Sequence, residues 1–65
     1  MNTALERAKR ELNDLNKKIA KLSVFLQTET YLTLIPAQQQ LLRAQLRSMQ
    51  SYAEILDMRI KLWNN

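Results

Sequence analysis

The sequence contains no cysteine, no histidine and no glycine, and a single proline, phenylalanine and tryptophan each. Each absence removes a class of answer. Without cysteine there is no disulfide, and without cysteine or histidine an ordinary zinc site is excluded. Without histidine, Ser23, Ser48 and Ser51 lack the usual base that would make a hydroxyl nucleophilic. Without glycine, neither a phosphate-cradling loop nor a dinucleotide-binding turn can be built. The carboxylates Glu6, Glu11, Asp14, Glu29, Glu54 and Asp57 are scattered, and most have a basic neighbour at helical spacing. Glu54 and Asp57 lie three residues apart beside Arg59 and Lys61, which reads as a solvated face rather than a catalytic pair. No enzyme activity, cofactor or metal is expected. No apolar run approaches the roughly 18 residues needed to cross a bilayer. The opening residues are amphipathic from the start, so neither a membrane segment nor a secretory leader is expected. The absence of cysteine fits a reducing cytoplasm.

What the sequence does contain is a ladder: Leu5, Ala8, Leu12, Leu15, Ile19, Leu22 and Leu26, in steps alternating three and four. This is the a/d seam of a heptad repeat, which keeps one helix face against another helix. A second ladder, Leu42, Leu46, Met49, Ala53, Leu56, Ile60 and Trp63, follows the same rule. The expected fold is all-α: an antiparallel two-helix hairpin forming a single domain over residues 1–65, oligomerising into a helical bundle. Helix one spans about 3–27, a connection 28–35 and helix two about 36–63. Antiparallel pairing sets Leu26 near Leu42, Ile19 near Met49, Leu12 near Leu56 and Leu5 near Trp63. Trp63 would close the open end over Leu5, with a partner anchor as its alternative role.

Local signals mark the ends. Thr3 to Glu6 fits a capping box. Glu6–Arg10 and Asp14–Lys18 are acid-first pairs at four-residue spacing. Thr28, Thr30 and Thr33 interrupt the helical pattern and favour local caps. Pro36 fits the first turn of a new helix, where its missing N–H costs nothing. Tyr31, Leu32, Leu34 and Ile35 are too apolar for a solvated loop. They predict a short helical turn folded as a lid on the hairpin.

A chain of 65 residues has little margin. Ordering costs about 1.5 kcal/mol per residue, roughly 100 kcal/mol in all, and a small core offsets that with little surplus. Self-association is one remedy. Phe25, Leu41, Tyr52, Ile55 and Leu62 lie outside the seam and are candidates for an oligomer or partner interface, in a dimer or tetramer. Tyr31 and Tyr52 fit core edges better than base-stacking sites.

The net charge is +4. Arg43 and Arg47 are like charges one turn apart with no acid on that turn, an arrangement that is mildly unfavourable unless an anion lies between them. The register sets Lys21 opposite Arg47. Lys21, Arg43 and Arg47, with Gln39 or Gln40, form the candidate anion site, and arginine's planar fork suits phosphate. The alternative is that these long cations simply cover the seam edges with their stems. Nucleic-acid binding is not favoured, because a dense basic stripe with interleaved aromatics is missing.

Blocks of the sequence resemble a family of small, largely uncharacterised bacteriophage proteins related to a crAss-like phage gene product. The matching blocks are Leu15 to Leu22, Phe25-Leu26, Tyr31 with Leu34, and Gln40-Leu41-Leu42, Gln45, Met49, Tyr52, Ile55-Leu56 and Arg59-Ile60. The resemblance spans about residues 12–62. Gln45, Tyr52 and Arg59, which lie off the seam, are its most specific letters. It implies a phage accessory protein in the host cytoplasm that acts by binding. It would be a counter-defence inhibitor that blocks a host protein or sequesters a small anionic nucleotide signal. A scaffold that only self-assembles is the rival expectation.

Overall fold

The computed structural model describes residues 3–63. The chain forms α1 (Thr3–Phe25), α2 (Glu29–Leu32) and α3 (Pro36–Trp63). The long helices lie side by side along a rod of 48 × 14 × 13 Å. They are antiparallel: Ala8, near the start of α1, packs with Leu56 and Ile60, near the end of α3.

The heptad pattern explains this packing. Every rung of the α1 ladder is buried or half-buried, as is every rung of the α3 ladder up to Ile60. Burial is deepest at Leu56, with Ala8 and Ile60 beside it and Leu5, Leu12 and Leu15 packed around them. Fully burying a leucine of this kind contributes roughly 1.5–3 kcal/mol. The remaining rungs are only half-buried because a seam between two helices is open along both edges.

Trp63, the last rung, is 44% exposed on the final turn of α3, beside Arg59 and Leu62. Leu5 packs against the cluster of Ala8, Leu56 and Ile60. Thr3 departs from expectation, being already helical, so it is not the residue that caps α1. The anticipated Glu6–Arg10 and Asp14–Lys18 pairs do not form. Among the described residues the one ion pair is Lys61–Asp57, at 2.9 Å. Pairs on exposed helix faces contribute only a few tenths of a kcal/mol, too little to fix long side chains.

The connection is built from local hydrogen bonds. α1 ends at Phe25 rather than near Gln27. The Gln27 and Thr28 amides donate to the Val24 and Phe25 carbonyls at 3.0 Å each, tightening the last turn. The Thr28 hydroxyl donates to the Phe25 carbonyl at 2.6 Å and accepts from the Tyr31 amide at 3.2 Å. One side chain therefore closes α1 and caps α2. Tyr31 is 5% exposed and meets Phe25 edge-to-face, with ring centroids 6.2 Å apart. α2 is thus pinned over the end of the hairpin, and Pro36 opens α3 immediately afterwards.

Candidate functional site

A concavity lies on α3 near the connection. It is an open groove of about 560 Å³ lined by Ala37, Gln40, Leu41, Arg43, Ala44 and Arg47. Helical spacing gathers these residues, since positions three and four apart share a face. The floor is apolar, from Ala37, Leu41 and Ala44, and Gln40, Arg43 and Arg47 supply its polar groups. Arg43 and Arg47 are exposed and form no ion pair among the described residues. Both guanidiniums are therefore available to an incoming anion.

Two members of the expected anion site lie elsewhere. Lys21 is exposed on α1 and is not part of the groove lining. Gln39 turns back to the connection, where its side-chain amide donates to the carbonyls of Leu34 at 3.0 Å, Tyr31 at 3.2 Å and Leu32 at 3.5 Å. Its donors are spent on closing α2, so Gln39 is a structural residue and Gln40 is the glutamine at the groove.

The candidate interface residues also separate. Phe25 is half-buried under Tyr31 and belongs to the turn. Leu41, Ile55 and Leu62 are 69%, 51% and 73% exposed on α3. Met58, which the sequence reading passed over, is 63% exposed beside them. Its signal was present, because Ile55, Met58 and Leu62 continue the three-and-four spacing. Val24, Leu32 and Ile35 are exposed around the turn.

Tyr52 occupies a different flank of α3 and ties the two helices together. Its hydroxyl donates to the Glu11 carboxylate. That hydrogen bond, together with partial desolvation and the nearby negative charge, raises the tyrosine's pKa above its ordinary value, while Arg59 pulls it down. Sequence reasoning missed Glu11 as its partner.

Among the described residues no group of three or more histidine, cysteine or acidic side chains gathers that could hold a metal ion. None of the helices there is long and apolar enough to cross a membrane. What the surface offers is a basic-edged groove and an apolar helix face. Both are suited to holding another molecule.

Comparison with known proteins places the chain among phage relatives. An uncharacterised 7.5 kDa protein from the denB–rIIB intergenic region of Enterobacteria phage T4 is 46% identical over 54 residues. The match covers 83% of this chain and 84% of that protein. No solved structure gives a significant match. The Sequestin family model matches residues 2–62, almost the whole chain, and the protein therefore belongs to the Sequestin family, a family of small phage proteins.

Proposed function

We propose that this protein is a non-enzymatic phage accessory protein that acts by sequestration, holding a small anionic nucleotide signal of the host's defence away from its receptor. The observation that carries this reading is the pair Arg43 and Arg47, unpaired at the edge of an apolar-floored groove. Arginine forks bind phosphate oxygens in pairs. An apolar floor accommodates a base or ribose face, and an anion relieves the repulsion between the two guanidiniums. The family's name, which denotes sequestering, supports the same reading. Kinship with products of crAss-like phages rests on the sequence blocks given above.

The exposed apolar residues of α3 favour a second reading, in which the inhibited target is a host protein anchored on Leu41, Ile55 and Leu62. Titration calorimetry with a panel of linear and cyclic nucleotides separates the two. Sequestration predicts binding by the full chain that disappears in Arg43→Gln with Arg47→Gln, while helical content by circular dichroism is unchanged. Nucleotide binding unaffected by that double change would overturn the assignment of the site. If no nucleotide in the panel binds, but a host protein is captured in an Ile55-dependent manner, the second reading takes its place.

A further inference from the structure

The face of α3 that turns away from α1 carries a ladder of its own. Ala37, Leu41, Ala44, Ser48, Ser51, Ile55, Met58 and Leu62 follow one another in steps of four and three without a break. This explains why α3 is less one-sidedly amphipathic than α1: its apolar residues are divided between two opposite faces. The inner ladder is consumed by α1. Along the outer one, Leu41, Ile55, Met58 and Leu62 are each at least half exposed.

The outer ladder is symmetric about its own centre. Reflection through the peptide bond between Met49 and Gln50 exchanges Ala37 with Leu62, Leu41 with Met58, Ala44 with Ile55 and Ser48 with Ser51. In an antiparallel helix pair, these exchanged residues are the ones that face each other across a two-fold axis. Small meets large at Ala37–Leu62 and Ala44–Ile55. Two serines meet at the axis, where the backbones approach most closely. A self-complementary patch of this kind is the signature of an isologous contact.

Charge agrees with shape. The same pairing sets Arg47 beside Glu54 of the second copy, and Glu54 beside Arg47 of the second copy, at the flanking positions that meet in an antiparallel pair. Neither residue has an ion-pair partner among the described residues of its own chain. Area agrees as well. The chain exposes 5212 Å², whereas a compact monomer of 7.7 kDa exposes about 4300 Å². The excess of about 900 Å² is close to the roughly 800 Å² that each partner buries in a standard interface.

We infer that two copies of this chain pair through the outer face of α3, antiparallel, with the two-fold axis at Met49–Gln50, to form a four-helix assembly with the α3 helices at its centre. The pairing covers Ala37, Leu41 and Ala44 and engages Arg47, so it competes with a ligand for the Arg43 groove and leaves only Gln40 and Arg43 at the rim. It does not rest on the ligand reading.

The test is sedimentation equilibrium of the full chain without ligand. A dimer is expected. Ile55→Glu should reduce it to monomer without loss of helix, because position 55 is already half in solvent. Glu54→Arg places like charges across the axis and should raise the dimer Kd by about tenfold or more. Adding Arg47→Glu to Glu54→Arg restores opposite charges and should recover the dimer. A monomer at every concentration overturns the inference. So does an assembly whose mass Ile55→Glu leaves unchanged. Failure of the charge swap to recover association overturns the register.

Discussion

Tyr31 and Gln39 hold each other twice. The tyrosine hydroxyl donates to the Gln39 carbonyl at 3.3 Å, while the Gln39 side-chain amide donates to the Tyr31 carbonyl at 3.2 Å. The same amide reaches the Leu34 carbonyl. A single glutamine therefore satisfies the end of α2 and fixes the angle at which the chain enters α3.

Replacing Gln39 with Ala leaves those carbonyls without their donor and should lower stability by about 1–2 kcal/mol. Urea unfolding followed by circular dichroism measures the loss. Gln40→Ala, one position along and exposed, should change stability by well under half of that.

Leu56 and Leu41 make a sharper contrast. Leu56 is 2% exposed and Leu41 is 69% exposed. Leu56→Ala should cost about 2–4 kcal/mol through lost burial and the cavity left behind. For so small a domain, that is enough to populate the unfolded state at ambient temperature. Measured in monomeric Ile55→Glu protein, Leu41→Ala should be nearly neutral.

Thr28 works in two directions, as donor to Phe25 and acceptor from Tyr31. Thr28→Ala should lose about 1 kcal/mol, and Thr28→Ser should retain most of it. Thermal melts of the two variants side by side give the comparison.

Tyr52 supplies a pH dependence. Its pKa is raised in the folded chain relative to the ordinary value of 10.0, chiefly by its hydrogen bond to Glu11. The contribution is therefore fully present below the unfolded value and is lost as pH rises through the folded one. Stability of the wild type should fall at alkaline pH more steeply than that of Tyr52→Phe. Spectrophotometric titration should show Tyr52 ionising late because of Glu11, and Glu11→Gln should shift its titration downward.

The long helices and their seam are legible in the sequence because a heptad ladder is a local, periodic signal. Leu12 and Leu56 fall into one cluster because both ladders keep step from the turn to the open end. The role of Gln39 is not legible in this way. Gln38, Gln39 and Gln40 are identical letters, and only the angle between α2 and α3 decides which one folds back. Lys21 illustrates the same limit. Its register relative to Arg47 follows from counting, but whether the two share a surface depends on how far each helix is rotated about its own axis. The Tyr52–Glu11 bond depends on that rotation too. Arg43 and Arg47 could be read directly, since one helix carries both.

The fastenings of this hairpin lie at its two ends: the Phe25–Tyr31–Gln39 turn at one, and the Ala8–Leu56–Ile60 cluster at the other. Between them, Ile19, Leu22, Leu46 and Met49 are only half-buried. In amide hydrogen exchange the isolated chain should therefore show protection that is strongest near the two fastenings and weakest midway along α3. The rod would breathe at its waist, where Ser48 and Ser51 face outward, and a second copy seated there should slow that exchange more than exchange anywhere else in the molecule.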